Sequence, residues 1–291
     1  MTQKQANLLF LLATIGWGAS YLFTKFAVVE VLPFALVTYR FSIAFVITFA
    51  IFYKKLINTT KETLFASFIL GIFLCITFSS FGFAMQTANP ASAGFLMATT
   101  VIFVPILVMV MTRKLATRQV LIGSVVTFFG LALFSLKGGL SFSIGEMLCL
   151  ATAIFYAVHI VVNNYFAKKY DVLQLGIYQL GFTAVFGTVF MFSFEPISYP
   201  TTSTGWTSML LLAVICTAFG LVIQSLAQGA TTAEATGFIF SLEPIFAAIF
   251  AYLFLGEVLN GQEWIGALLI FVGVLIANYT PKKSVQMAQN I

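Results

Sequence analysis

Ten stretches of about 20 predominantly apolar residues follow one another along this 291-residue chain, joined by short connections. A helix needs about 20 apolar residues to cross the ~30 Å hydrocarbon core of a bilayer. Only 8% of the residues are charged, whereas a soluble domain carries roughly 25%. The sequence therefore predicts an all-α integral membrane protein with ten transmembrane helices. The predicted spans are 7–28, 33–53, 64–87, 91–112, 118–136, 145–167, 172–193, 207–228, 234–255 and 263–280.

The basic residues are concentrated in alternate connections, and cytoplasmic loops are enriched in Lys and Arg. With a cytoplasmic N-terminus, only Lys137 falls outside. The residues that fall inside are Lys4, Lys54, Lys55, Lys61, Arg113, Lys114, Arg118, Lys168, Lys169, Lys282 and Lys283. We therefore expect a multi-pass protein of the cell membrane with both termini in the cytoplasm. The net charge of +5 is then a topology signal and indicates no nucleic-acid partner.

The chain also repeats itself. A shift of 143 residues aligns GFLMATTVIFVPI (94–106) with GFIFSLEPIFAAI (237–249). A fainter shift of 139 residues aligns Trp17 with Tyr156 and Arg40 with Gln179. Each half then holds five spans, and because five is odd, the second half enters the membrane from the opposite side. The sequence predicts two five-helix repeats, 1–137 and 138–291, in an inverted arrangement that is common in secondary transporters.

Three tracts carry a resemblance to a known family: SLEPIFAAIFAYLFLGEVLNGQEWIGALLIFVGVLI (241–276), its partner from Gly94 to Phe134, and IGWGASYLFTKFA (15–27). They resemble the EamA-type permeases of the drug/metabolite transporter superfamily. The resemblance implies a 5+5 inverted repeat, a central cavity lined by the first four helices of each half, and peripheral fifth and tenth helices. It also implies alternating access, and many members export amino acids or other small metabolites. Arg113-Lys114 stands where the second half has Gly256-Glu257, so the halves are expected to gate unequally.

A glutamate-proline pair interrupts the apolar run FIFSLEPIFAAIFAYLFLGE (238–257). An acidic residue at mid-span costs about 2.5–3.5 kcal/mol to insert, so Glu243 should face a cavity or a partner. Pro244 lacks a backbone donor, which leaves the carbonyl of Phe240 available in a kinked helix. We predict that Glu243 handles substrate or a proton and that Pro244 shapes the helix. Structural pairing of Glu243 with a buried cation or hydroxyl is the alternative.

Five further residues complete the predicted substrate site with Glu243. Arg40 can bind a substrate carboxylate through two hydrogen bonds; the alternatives are an internal pairing or snorkelling to the helix end. His159, the only histidine, is with Glu243 a proton-coupling candidate, since imidazole titrates near neutral pH; hydrogen-bonded packing is its alternative. Trp17 lies between two glycines, which allow a ligand close to the backbone. Tyr156 and Gln179 are included as the repeat partners of Trp17 and Arg40.

The remaining polar and small residues are expected to have structural roles. Glu146 fits a helix N-terminus, and the cysteines are too far apart in sequence to predict a metal site or a disulfide. Glycines at seven-residue spacing are expected to pack helices closely, and amides near helix ends to cap loops. The glycines are Gly123, Gly130, Gly266 and Gly273; the amides are Gln86, Asn89, Asn163, Asn164, Gln224 and Gln228; the cysteines are Cys75, Cys149 and Cys216.

The predicted function is secondary transport, with export as the expected direction, of a small metabolite such as an amino acid. A channel or facilitator is the main alternative. A membrane-embedded enzyme is disfavoured, because the sequence offers one histidine, no clustered cysteines and no Gly-x-Ser-x-Gly. No cofactor or metal is expected. The expected partners are a small-molecule substrate and the lipid bilayer, and a homodimer stays open.

Overall fold

The computed structural model describes residues 1–88, 90–135, 143–255 and 261–278, and these ranges contain helices and no strand. The helices are α1 (Gln3–Ala27), α2 (Pro33–Leu56), α3 (Lys61–Thr87), α4 (Pro90–Ala98), α5 (Thr100–Thr112), α6 (Arg118–Ser135), α7 (Ile144–Ala167), α8 (Val172–Phe194), α9 (Ser203–Leu211), α10 (Gly220–Gln228), α11 (Ala233–Phe240), α12 (Glu243–Leu255) and α13 (Gly261–Asn278). A π-helix, Leu212–Phe219, joins α9 to α10. The chain thus folds as an all-helical protein with its helices in the predicted apolar stretches.

Seven helical runs in the described ranges are long and apolar enough to cross a membrane. They are Gln3–Ala27, Pro33–Leu56, Lys61–Thr87, Ile144–Ala167, Val172–Phe194, Ser203–Gln228 and Ala235–Phe254. Shorter apolar helices occupy Leu96–Thr112, Arg118–Leu133 and Trp264–Ala277, which lie in the other three predicted spans. Length and composition therefore establish a multi-pass membrane protein.

Two helical runs are broken where the sequence analysis expected continuous spans. The first breaks at Thr99, and the second breaks between Phe240 and Glu243. At each break a hydroxyl bonds back to the carbonyl three residues earlier, Thr99 Oγ1 to Leu96 at 2.5 Å and Ser241 Oγ to Phe238 at 2.6 Å. Side-chain bonds of this kind compete with the regular helical pattern.

The sequence predicted that Pro244 would kink the second of these runs. In the structure Pro244 instead lies where a new helix begins. Pro244 is the second residue of α12, where a helix has no use for a backbone donor. The first break lies at the equivalent place after a shift of 143 residues, yet Val101 stands there in place of Pro244. Proline is therefore compatible with the break but is not its general cause.

Glycines bring α6 and α13 into close contact, as their seven-residue spacing predicts. A Cβ atom added at Gly123 would lie 2.8 Å from the carbonyl oxygen of Gly273, and one at Gly130 would lie 2.9 Å from that of Gly266. Neither position has room for a methyl group. These two helices, the fifth and tenth predicted spans, pack mainly on each other.

Substitution Gly130→Ala is expected to destabilise the protein, because its Cβ would lie 2.7 Å from the backbone nitrogen of Ile270. Overpacking of this kind costs about 1–3 kcal/mol. Thermal unfolding in detergent measures the effect. Gly261→Ala is the control, since no atom of the described residues lies within 4 Å of its added Cβ. Equal melting temperatures for the two variants would contradict the close packing.

Two carboxylates connect the loop between α1 and α2 with the loop between α8 and α9. Glu195 accepts hydrogen bonds from the backbone N–H groups of Phe34 and Ala35, both at 3.0 Å, in the first turn of α2. Glu30 accepts from the backbone N–H groups of Thr201 at 2.6 Å and Thr202 at 3.1 Å, and from both threonine hydroxyls. Each predicted half thus supplies an acidic ligand to the start of a helix in the other.

The opposite ends of α2 and α8 are joined by neutral groups. Gln174 Nε2 donates to the carbonyl of Lys55 at 2.8 Å, and the Tyr178 hydroxyl donates to the carbonyl of Leu56 at 2.9 Å. These bonds satisfy carbonyl groups that the last turn of α2 cannot pair internally. The two ends of the molecule are therefore held by different chemistry.

The hydrogen bonds to Glu30 make its contribution to stability depend on pH. The Thr202 hydroxyl, followed by the N–H groups of Thr201 and Thr202, lowers the pKa of Glu30 from 4.5 to about 2. A carboxylate whose pKa is lower in the folded state stabilises the fold above its unfolded pKa, and this stabilisation is lost as the pH falls through the folded value. The affected window therefore runs from about pH 4.5 down to about pH 2.

Replacement Glu30→Gln is expected to lower the melting temperature at neutral pH, since the amide offers one acceptor oxygen and no charge. The difference from the wild type should shrink as the pH is lowered below 4.5. Thermal unfolding across pH measures it. Glu62→Gln, at an exposed carboxylate in the first turn of α3, is the control. A pH-independent difference would show that the charge of Glu30 is not what matters.

Candidate functional site

A small cavity of about 30 Å³ lies among helices from both predicted halves. It brings together four of the predicted site residues, Trp17, Arg40, Tyr156 and Glu243. The complete lining is Trp17, Ser20 and Tyr21 from α1, Arg40 from α2, Thr77, Phe78 and Phe81 from α3, Met97 from α4, Tyr156 from α7 and Glu243 from α12. His159 and Gln179 do not line it.

The Trp17 side chain lines the cavity, and contacts with neighbouring residues fix its position. Its indole Nε1 donates to the carbonyl of Cys216 at 2.6 Å. The indole packs edge-on against Phe240 and Tyr156, with ring centroids 4.6 and 6.1 Å apart. Such aromatic pairs add about 0.5–1.5 kcal/mol beyond burial. A Cβ at Gly220 would lie 2.6 Å from Nε1, so the indole needs a glycine at that place.

Arg40 is held on two sides. Its Nε donates to the hydroxyl of Thr217, and its guanidinium carbon lies 4.5 Å from the centroid of the Phe78 ring, a cation–π contact. The residue is 2% exposed, which excludes snorkelling to the helix end. Arg40 therefore pairs with other residues of the protein and also lines the cavity, so two of its predicted roles apply together.

Glu243 is the first residue of α12 and is half-buried. The hydroxyl of Tyr21 and the charge of Arg40 both act on its carboxylate, and all three residues line the cavity. The start of a helix also favours a negative charge, because the macrodipole is positive there. Glu243 thus has a hydroxyl partner, as the structural alternative requires, and it faces the cavity as well.

A network of neutral polar side chains lies behind Tyr156, between α7, α8 and α10. His159 Nε2 bonds to Gln179 Oε1 at 3.0 Å, and Gln179 Nε2 donates to Ser225 Oγ at 3.0 Å. Asn163 Nδ2 donates to Ser225 Oγ at 3.3 Å and also to Gln228 Oε1. All five residues are fully buried. Asn163 and Gln228 therefore join helices, and the expectation that they cap loops was wrong.

Tyr156 connects this network to the cavity. Its hydroxyl donates to Gln224 Oε1 at 3.4 Å, and its ring stacks on that of His159 with centroids 5.9 Å apart. Gln224 is fully buried as well, so it too is not a loop cap. His159 Nδ1 and Gln224 Nε2 are buried without a hydrogen-bond partner in the described structure. The network therefore has two open polar atoms next to Tyr156.

The sequence matches the EamA-like transporter family twice, over residues 4–136 and 143–279. The chain belongs to the EamA-like transporter family. An uncharacterized transporter of Archaeoglobus fulgidus is 27% identical over 94% of this chain and 85% of its own length. The uncharacterized transporter YoaV of Bacillus subtilis is 24% identical over 92% of this chain and 94% of its own. A protein crystal structure with 18% identity has a TM-score of 0.78 and covers 94% of this chain and 96% of that one, which shows a shared fold.

Membership of the EamA-like family makes this chain a membrane transporter of the drug/metabolite type rather than an enzyme. The cysteines Cys75, Cys149 and Cys216 are free and buried. Within the described ranges, no group of three metal-ligating residues occurs.

The structure also shows where other residues with predicted roles lie in this EamA-like fold. Glu146 forms a capping box with Ser143 at the start of α7, through bonds of 2.8 and 3.2 Å, so its predicted place at a helix N-terminus is confirmed. Asn164 Nδ2 donates to the carbonyls of Gln228 and Thr231, both at 3.0 Å, and so caps the end of α10. Gln86 is exposed at the end of α3. Asn89, Lys137, Gly256, Glu257, Lys282, Lys283 and the boundary between residues 137 and 138 lie outside the described residues.

Several residues of the EamA-like transporter's cavity were missed by the sequence analysis. Tyr21 follows Trp17 by four residues and Ser20 by one, so helical spacing alone would have placed all three on one face of α1. No spacing relative to a predicted site residue indicated Thr217 in the sequence. It contacts Arg40 because of the π-helix, and an apolar run such as LAVICTAF gives no indication of one.

Proposed function

We propose that this EamA-like transporter is a secondary transporter of the cell membrane that exports a small metabolite such as an amino acid. In this proposal, residues 1–137 and 138–291 are inverted five-helix repeats that give alternating access to the cavity between them. The observation that carries the proposal is the cavity itself, which combines Arg40, Glu243 and aromatic side chains from both halves. Sites between the repeats are typical of secondary transporters.

The cavity has the chemistry that a zwitterion needs. A substrate carboxylate would bind the terminal nitrogens of Arg40 through two hydrogen bonds. A substrate ammonium group would bind Glu243, whose carboxylate is half-buried at the cavity. Trp17, Tyr156 and Gln179 complete the proposed site, the first two as walls for an apolar side chain and Gln179 through its bond to His159.

Proton coupling is the proposed source of energy. Glu243 would release a proton when it binds the substrate ammonium group and take one up when the substrate leaves. His159 is the proposed relay, because it stacks on Tyr156 and its Nδ1 is open. Pro244 would keep the start of α12 free of a backbone donor next to the carboxylate.

Reconstitution in liposomes tests the proposal directly. Uptake of a panel of radiolabelled amino acids and quaternary amines would be measured with and without a pH gradient. Saturable uptake of an amino acid with counter-transport supports a secondary transporter. Flux that rises linearly with concentration and shows no counter-transport would instead indicate a channel, and saturable uptake that a pH gradient does not change would indicate a facilitator, the two alternatives from the sequence.

Substitution Glu243→Gln keeps the shape of the side chain and removes its charge. We expect it to abolish pH-dependent uptake of amino acids and to leave the fold intact, whereas Pro244→Ala should alter the rate more than the affinity. Uptake across a range of internal and external pH measures both. Glu62→Gln, at an exposed carboxylate outside the cavity, should behave as wild type. Wild-type rate and pH dependence in Glu243→Gln would assign this residue to structure.

The proposed orientation places the start of α9 outside the cell and the end of α2 in the cytoplasm. A single cysteine at Ser203, which is exposed before α9 continues into the membrane, should react with an impermeant maleimide on intact cells. A cysteine at Asn58, exposed after α2, should react only after permeabilisation. The reverse pattern would invert the topology and with it the assignment of loops.

A further inference from the structure

The π-helix Leu212–Phe219 changes which carbonyl groups are available to the cavity. In an α-helix the N–H of Gly220 would bond to the carbonyl of Cys216, four residues earlier. Here it donates to the carbonyls of Ile215 and Thr217. The carbonyl of Cys216 accepts the indole N–H of Trp17 instead. A shift in helical register thus supplies the partner that fixes one wall of the site.

The same π-helix determines the orientation of the Thr217 hydroxyl. Thr217 is fully buried, and its Oγ1 donates to the carbonyl of Leu212, five residues earlier, at 2.8 Å. A hydroxyl has one proton and two lone pairs, so with the proton directed to Leu212, the oxygen can only accept from Arg40. The Nε–H of Arg40 makes this bond.

The bond from Nε and the ring of Phe78 together define the plane of the Arg40 guanidinium. The Nε is held by Thr217, and one face of the group lies over the Phe78 ring at 4.5 Å. Within the described part of the chain, the bond to Thr217 is the one hydrogen bond that this guanidinium makes. Both terminal nitrogens therefore remain for the cavity, with their direction set by the two contacts.

We propose that Thr217 is a positioning residue of the transport site, which fixes the Arg40 guanidinium so that its two terminal nitrogens meet the carboxylate of a substrate. The role in transport rests on the proposed function, whereas the orientation of Arg40 does not. A guanidinium binds both oxygens of a carboxylate only when the two groups lie in one plane. A guanidinium that rotates freely would therefore bind the carboxylate less well.

Exchange of the Arg40 Nε–H with water tests the orientation without any substrate. The chain has three arginines, Arg40, Arg113 and Arg118, so arginine labelled with nitrogen-15 gives few Nε signals, which Arg40→Lys assigns. In the wild type, the Arg40 Nε–H should exchange more slowly than the other two, by on the order of tenfold or more. Thr217→Val, of similar shape, should lose most of this protection, and Thr217→Ser should keep it.

The serine variant and a second threonine provide the controls. Thr188 donates its hydroxyl to the carbonyl of Ala184 in its own helix at 2.7 Å, so Thr188→Val removes a hydroxyl from the membrane without touching Arg40. Slow exchange that survives in Thr217→Val would show that burial alone protects the group, and it would overturn the proposal. Equal loss in the serine and valine variants would overturn it too, since the hydroxyl would then not be the cause.

Uptake by liposomes tests the role in transport, with the same radiolabelled amino acids and quaternary amines. Thr217→Val should raise KM for amino acids by on the order of tenfold with little change in the maximal rate, since the guanidinium loses the hydrogen bond that orients it toward the substrate carboxylate. Thr217→Ser should restore KM, and uptake of quaternary amines, which lack a carboxylate, should not change.

The two experiments separate a failure of this inference from a failure of the proposed function. Lost protection with an unchanged KM would overturn the role of Thr217 in transport. If the wild type carries no amino acid, the proposed substrate class is wrong, and the role of Thr217 in binding it falls as well. The exchange rates would even then decide whether Thr217 holds Arg40.

Discussion

Polar groups that lie within apolar spans must find partners inside the protein, because the surrounding hydrocarbon offers none. Most of the cavity can be understood from this constraint. The carbonyl of Cys216 is paired by Trp17, the Nε of Arg40 by Thr217, and the amide of Asn163 by that of Gln228. Each of these bonds joins two different helices. The arrangement of the helices around the cavity and the orientation of its polar side chains therefore depend on the same contacts.

The two ends of the molecule meet the constraint in different ways. At one end, Glu30 and Glu195 bind backbone N–H groups near the starts of α9 and α2, and a charged acceptor makes such bonds roughly twice as strong as neutral ones. At the other end, Gln174 and Tyr178 donate to carbonyls at the end of α2. If the proposed alternating access opens the carboxylate end, these charge-assisted bonds would have to break, whereas the bonds from Gln174 and Tyr178 at the opposite end are neutral. The unequal gating expected from the difference between Arg113-Lys114 and Gly256-Glu257 stays a prediction.

The sequence was informative wherever the hydrophobic pattern or the residue type decides the outcome. Helical stretches, the glycine contacts between α6 and α13, the capping box at Glu146 and the presence of Trp17, Arg40, Tyr156 and Glu243 in one cavity follow from periodicity, from spacing or from the cost of a buried charge. Prediction was wrong where tertiary contacts override local preference. Asn163 and Gln228 look like loop caps because they lie near helix ends, yet each finds a partner on a neighbouring helix. The π-helix could not be predicted, since its register depends on bonds that Thr217 and Gly220 make in the folded chain.

The charges of the cavity stand at positions where the two predicted repeats differ. Arg40 corresponds to Gln179, which bonds to His159, and Glu243 corresponds to Thr100, a buried residue at the equivalent helix break. Both repeats thus have the break, but one of them places a carboxylate there, and the cation comes from the other. Two identical repeats would carry the same residue types at these positions, whereas here the arginine occurs in one repeat and the glutamate in the other. Divergence at these two positions gives the cavity a basic and an acidic side. In the proposed function, this polarity rather than the helical framework common to both repeats would orient a substrate with two charges.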